Sequence, residues 1–196
     1  MSVSLDGFIA GPGGDISWSA PDQELMRFHV QQTRADVACL MGRGLYEDML
    51  VWETADATRF GPLELEFAQI WKAIPKVVFS TTLGQVEGNA RLASDDIAGE
   101  VARLRDQPGE GVVSVGGAGL AAALIELDLI DEYRLFVSPV VLGGGTPYLP
   151  PADRTIGLEL LETRTFGSRV VYLRYRRAPT THERHGHYHD NAVTSL

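Results

Sequence analysis

The sequence predicts an α/β fold: one domain with a mixed, mostly parallel central sheet, helices on both faces and a C-terminal antiparallel hairpin. Three observations predict it. Apolar runs of strand length alternate with helical patterns through most of the chain, the signature of strand–helix–strand units with parallel strands. Strand ends run through glycine directly into helices, most clearly in Val113-Ser114-Val115-Gly116-Gly117-Ala118-Gly119-Leu120. The last two strands are joined only by Phe166-Gly167-Ser168-Arg169, a turn that suits a hairpin.

The elements follow in order. A first strand is expected over residues 1–6, although Met1 leads straight into Ser2-Val3-Ser4 and leaves almost no lead-in for a central position. A helix fits Asp22–Thr33, a strand Asp36–Met41 and a short helix Gly44–Leu50. Pro62 suits the first turn of a helix over Pro62–Ala73, because proline lacks the N–H that this position leaves unpaired. A strand at Lys76–Ser80 precedes a helix at Asp95–Arg105, for which Ser94 or Asp95 can supply the N-cap oxygen. A strand at Gly111–Val115 then enters a helix at Gly119–Leu127. Strands at Glu132–Pro139, Leu158–Thr165 and Arg169–Arg176 complete the sheet. Residues 1–178 form the domain, and 179–196 read as a flexible polar tail that holds four of the five histidines.

Composition narrows the function. The 196 residues, 44% hydrophobic and 22% charged, are enough for one continuous core. A net charge of −9 argues against nucleic acid, since a phosphate-backbone binder needs clustered positive charge. No run approaches the roughly 18 apolar residues that span a bilayer. The N-terminus also lacks a basic stretch followed by an apolar one, so a cytoplasmic protein away from membranes is expected. The single cysteine, Cys39, sits in the apolar run Val37–Met41 and reads as a core residue. The tail segment from His182 to Asp190 has spacing that can hold a transition metal, but no second cluster completes a site and no metal is expected.

Three strand ends carry candidate chemistry. At Gly116-Gly117-Ala118-Gly119 the backbone can approach a ligand closely, and the first N–H groups of the following helix suit an anion; a plain tight turn also fits. Met41-Gly42-Arg43 places a fixed cation with bidentate donors at a second strand end. Ser80-Thr81-Thr82 presents three hydroxyls at a third. All three could meet over one dinucleotide beyond the carboxyl ends of the strands. The loop after Asp6, with four glycines and a proline before Trp18, reads as a lid or as an ordinary surface loop.

Ser4-Leu5-Asp6-Gly7-Phe8-Ile9-Ala10, Met41-Gly42-Arg43-Gly44-Leu45-Tyr46-Glu47, Gly116-Gly117-Ala118-Gly119, Leu129-Ile130-Asp131-Glu132 and Pro139-Val140-Val141-Leu142-Gly143-Gly144-Gly145 occur in this order. The ordered set resembles the dihydrofolate reductase-like superfamily, and within it the reductase family named for the C-terminal domain of the bifunctional riboflavin-biosynthesis deaminase-reductase (RibD). The resemblance runs from Ser2 to about Arg177. It implies a three-layer dihydrofolate reductase-like fold, a homodimer, and an NADPH-dependent oxidoreductase that passes hydride to a small pyrimidine or pterin-like molecule. The nearest named reaction is reduction of 5-amino-6-(5-phosphoribosylamino)uracil in riboflavin biosynthesis. Dihydrofolate reduction is the enzymatic alternative, and a non-catalytic nucleotide-binding or sensing protein the other.

Carried over by position, the resemblance implies that Arg43 with Ser80 and Thr81 faces the adenosine 2′-phosphate, and that Gly42 also belongs to the cofactor-binding residues. Gly116, Gly117, Ala118, Gly119 and Leu120 would hold the pyrophosphate, while Ile9 and Ala10 border the nicotinamide. Trp18, Asp22 and Asp6 would contact substrate, with Glu24 as proton donor and Asp6 as the other catalytic candidate. Asp22 also reads as an ordinary N-cap, Glu24 as a first-turn acid, and Asp6 as a turn residue. The chain departs from the family pattern at Ile74, where folate reductases carry an arginine, and at Ala121, where they carry a tyrosine. Phe8 replaces a lysine common in the riboflavin-pathway enzymes, and Leu45 replaces a phosphate-binding hydroxyl.

Overall fold

A computed structural model describes residues 1–108, 110–149, 154–179 and 193–196. The helices are α1 (Gln23–Thr33), α2 (Arg43–Met49), α3 (Pro62–Ala73), α4 (Ile97–Arg105) and α5 (Ala118–Glu126). The strands are β1 (Ser2–Ser4), β2 (Phe8–Ala10), β3 (Asp36–Gly42), β4 (Lys76–Phe79), β5 (Ala90–Leu92), β6 (Val112–Gly116), β7 (Glu132–Ser138), β8 (Thr146–Pro147), β9 (Leu158–Thr165), β10 (Val171–Arg177) and β11 (Val193–Ser195). The main sheet runs β5-β4-β3-β6-β11-β7-β10-β9, with β1 also on β7, and a separate small ladder joins β2 to β8. Pairs from β5 through β7 are parallel, whereas β7–β10 and β10–β9 are antiparallel, as the mixed sheet and final hairpin require.

Alternation along β3 explains the layers. Ala38 and Leu40 pack with Val101 and Leu104 of α4 and Leu120 and Leu124 of α5, while Cys39 and Met41 pack with Trp71 of α3. Successive side chains of a strand point to opposite faces, so a strand covered on both sides reads as an unbroken apolar run. Helix α1 covers the β7–β10 region, where Leu25 and Phe28 meet Phe136 and Tyr172. Burial raises the Cys39 thiol to about 12, in keeping with an inert core residue.

Local signals set most element ends. Asp22 accepts the Leu25 N–H at 2.8 Å and caps α1, and Pro62 opens α3. The cap of α4 is Asp96, which accepts from Gly99 at 2.8 Å; Asp95 bridges to Arg103 instead, and Ser94 donates its N–H to the buried Glu100. In the hairpin turn, Arg169 takes a positive φ of 66° and donates its N–H to Phe166 O at 2.9 Å.

Two further expectations are corrected. The strand drawn over residues 1–6 is β1 alone, because the chain turns at Asp6-Gly7, where Gly7 has φ 90°, and resumes as β2. The region from 179 onward is not polar tail to its end, since Val193–Ser195 form β11 between β6 and β7. Asp131 donates its N–H to Thr194 O, and Arg134 donates to Leu196 O. One step further along, the Met1 amine donates to Arg134 O and Phe136 donates to Met1 O. Because β1 is short, the side of β7 below Met1 would otherwise expose unpaired main-chain groups inside the sheet. The four residues of 193–196 satisfy them, a segment too brief to display a period of its own. The histidine run of the tail lies outside the described residues.

Candidate functional site

Parallel neighbours β4, β3 and β6 end side by side, with Gly42 opposite Phe79 and Met41 opposite Gly116. This brings together all three strand ends singled out above. Gly117 has φ 98° and lies against α2, so that a Cβ on it would stand 3.6 Å from the Gly42 nitrogen. A Cβ on Gly116 would lie 2.0 Å from Leu45 Cδ2, which gives Leu45 a packing role where the family pattern has a hydroxyl. Gly119 differs from both: it is exposed, and a Cβ there would meet nothing within 4 Å. The fold itself does not require glycine at that position. The first intrahelical bond of α5 runs from Ala121 N to Gly117 O, leaving the N–H groups of Ala118, Gly119 and Leu120 without helical partners.

Arg43 stands at the next wall. Its Nε donates to Glu47 Oε1 at 2.9 Å and its Nη1 to Thr82 Oγ1 at 3.0 Å, while Nη2 makes no hydrogen bond among the described residues. Ser80 Oγ accepts the N–H groups of Thr82 and Leu83 at 3.2 and 3.0 Å, which folds the segment after β4 into a hydroxyl-rich turn. Arg43, Phe79, Ser80, Thr81, Thr82, Ala93 and Asp95 line one cavity of about 510 Å³. Asp95, read from the sequence only as a helix cap, was missed as a lining residue, because only the β5–α4 connection brings it here.

Near the N-terminus, Asp6 accepts from Ser4 Oγ at 2.7 Å, from Gly143 N at 2.7 Å and from Leu142 N at 3.1 Å. These bonds, led by the Ser4 hydroxyl, hold its carboxyl down at about 2. Ala10 pairs with Thr146 in the β2–β8 ladder, and a Cβ on Gly145, which has φ 124°, would sit 2.0 Å from Ala10 O. Asp6 therefore fastens the Gly143–Gly145 turn against the strand that carries Ile9 and Ala10. Phe8 pairs with Pro147 in the same ladder.

A second cavity, of about 350 Å³, is lined by Trp18, Ser19, Ala20, Leu25, Ser138, Pro139, Val140, Ser168 and Val170. Trp18 is anchored through its indole N–H to Asp15 O at 3.1 Å. Asp22 and Glu24 belong to the same helix as Leu25 but are not among the lining residues. Asp22 acts as the α1 cap. Glu24 accepts from Gly167 N and from Arg164 Nη2, both at 2.9 Å, and the backbone bond followed by the guanidinium bond lowers its pKa. A carboxylate held ionised in this way is a poor proton donor near neutral pH, which runs against the general-acid role expected of it. Ser138, Ser168 and Val170 escaped the sequence reading because a serine or valine carries no motif of its own.

The substitutions at the family positions have structural counterparts. Ile74 is a core residue packed with Trp71, and Ala121 lies on the buried face of α5 in the core. Among the described residues no cluster of three or more His, Cys, Asp or Glu is arranged to hold a metal, and no helix is long and apolar enough to cross a membrane.

Comparison with known proteins identifies the family and the fold. The family model described as the RibD C-terminal domain matches residues 1–172. An uncharacterized protein of Bacillus subtilis (strain 168), YyaP, is 35% identical over 178 residues, covering 89% of this chain and 91% of its own. Among solved structures, a putative riboflavin biosynthesis protein from Shewanella sp. PV-4 superposes with a TM-score of 0.71 at 22% identity, covering 91% of this chain and 97% of that one. Dihydrofolate reductase from Enterococcus faecalis, complexed with NADP(H) and RAB-propyl, superposes with a TM-score of 0.59 at 17% identity, covering 91% and 94%. The fold is thus dihydrofolate reductase-like.

Proposed function

Because the chain belongs to the RibD C-terminal domain family, we propose that it is an NADPH-dependent reductase acting on a planar pyrimidine or pterin-like substrate. The observation that carries this reading is the convergence of Arg43, the Ser80–Thr82 hydroxyls and the Gly116–Gly119 turn at adjacent ends of β3, β4 and β6.

The residues fit a dinucleotide phosphate. Arg43 keeps its Nη2 edge unengaged beside three hydroxyl side chains, a donor set that suits a phosphomonoester such as an adenosine 2′-phosphate. Bare backbone at Gly119 and the free first-turn N–H groups of α5 suit a diphosphate, which needs close approach and main-chain donors. When bound, NADPH supplies the hydride. The chain's own work is to orient and to shield. Asp6 fixes the turn behind Ala10, and with it the wall expected beside the nicotinamide. Trp18, Leu25 and Val170 surround the second cavity with apolar surface that excludes water from a bound ring.

The test has two arms. Titration with 2′,5′-ADP and with 5′-AMP should give markedly tighter binding of the former, and NADPH oxidation should follow addition of a member of a panel of pterins, folates and aminopyrimidines. Equal affinity for the two nucleotides would remove the 2′-phosphate assignment. Tight NADPH binding without turnover of any panel member would favour a nucleotide sensor.

A further inference from the structure

The two cavities differ in kind. One presents Arg43 and Asp95, whereas the other is walled by an indole, aliphatic side chains and the hydroxyls of Ser19, Ser138 and Ser168. Ser138 is buried at 7% exposure at the end of β7, and Ser168 Oγ is buried without a hydrogen-bond partner among the described residues. A buried hydroxyl left unpaired is unfavourable unless something supplies its partner. Both hydroxyls belong to residues that line the same space.

The ionised groups nearby are engaged elsewhere. Asp22 caps α1, Glu24 is held by Arg164 and the Gly167 N–H, and Asp6 by Ser4, Leu142 and Gly143. Arg164 binds Glu24 while its guanidinium lies 5.2 and 4.7 Å from the ring centres of Phe28 and Phe166. Among the described residues, the lining therefore offers neutral hydrogen-bonding groups and apolar surface. Moving a phosphate or carboxylate into such a lining strips its water without returning a counter-charge.

We propose that this cavity binds the reducible substrate as an uncharged, planar nitrogen heterocycle, a free pyrimidine or pterin-type ring without phosphate or carboxylate. Ser138 and Ser168 hydrogen-bond its polar edge, and the Trp18 indole covers apolar ring surface. Chemically, a lactam ring matches the set, since its C=O accepts from a hydroxyl and its N–H donates to one. The inference deepens the reductase reading and rests on it only for the word reducible. It departs from the phosphoribosylated substrate that the sequence resemblance implied.

Calorimetric titration of the full chain with two matched pairs tests it: a ribosylaminouracil with and without its 5′-phosphate, and a hydroxymethyl dihydropterin against dihydrofolate. The uncharged member of each pair should bind about tenfold tighter or more. Ser168→Ala should weaken the uncharged ligands about three- to tenfold, the range for one neutral hydrogen bond. Should Ser168→Ala disturb the hairpin turn, as a lowered melting temperature would reveal, Ser138→Ala provides the same reading from β7. Equal or tighter binding of the charged members overturns the proposal, as does unchanged affinity in both serine variants. Binding of the uncharged rings without NADPH oxidation would leave this assignment standing and remove the reductase reading. Oxidation supported only by the charged members would do the reverse.

Discussion

The Asp6 carboxylate accepts the Gly143 main-chain N–H at 2.7 Å across a sequence separation of 137 residues. With Leu142 N and Ser4 Oγ on the same carboxylate, one side chain ties the turn after β1 to the turn after β7. Replacing Asp6 by Ala should release both turns. Limited proteolysis within 142–147 should quicken, and turnover should fall about tenfold or more through loss of positioning. The carboxyl lies near 2, below its ordinary value, so the clamp contributes above the unfolded pKa and is lost as pH falls through about 2. A neutral-pH titration of wild-type activity should therefore show no transition from Asp6.

Arg43→Ala removes the only cation lining the first cavity among its described residues. Affinity for NADPH should drop about 10- to 100-fold while affinity for NADH changes little, as expected for loss of a charge-assisted pair. Equal losses for the two nucleotides would refute the assignment of Arg43 to the 2′-phosphate.

For Glu24→Gln, kcat/KM and its pH profile should stay within about twofold of wild type, because the group already sits ionised between Arg164 and Gly167. A lost acidic or basic limb in the profile would restore Glu24 to proton transfer.

Asp36 behaves oppositely to Asp6. Burial raises its carboxyl to about 6, so the folded protein holds a proton that the unfolded chain releases near its ordinary value. Stability from this group thus declines as pH rises from about 4 to 6, then levels off. Asp36→Asn should stabilise the protein by about 2 kcal/mol at pH 7 and by almost nothing at pH 3, measured by denaturant unfolding at each pH.

How much was legible in the sequence follows from the range of each interaction. The unbroken apolar run of β3, the Asp22 cap and the hairpin turn at Phe166–Arg169 are local, and each was readable. The three strand ends were readable as motifs that could meet, whereas the order that places β3 between β4 and β6 was not. What escaped was nonlocal. Nothing near Asp6 announces Leu142 and Gly143, nothing near Glu24 announces Arg164, and the two-residue strand β8 exists only against β2. Asp95 and Asp96 are adjacent and chemically alike, so choosing the cap required the position of Arg103.

Deleting residues 193–196 should cost about 2–4 kcal/mol of stability, from the buried Leu196 side chain and the main-chain bonds to β6 and β7. Thermal unfolding of the shortened chain against the full one checks it; an unchanged midpoint would show that β11 adds nothing to the sheet.

Short strands at the edges of a fold ordinarily open first, with amides there exchanging freely with solvent. Here Thr194, Leu196 and Met1 follow one another along β7, accepting in turn from Asp131, Arg134 and Phe136. These segments thus share a place in the interior of the sheet, and local opening of either uncovers its middle rather than its rim. Slow exchange should centre on β7 and its neighbours. The segments Trp18–Ala20 and Ser80–Thr82, which line the two cavities, lie outside these ladders.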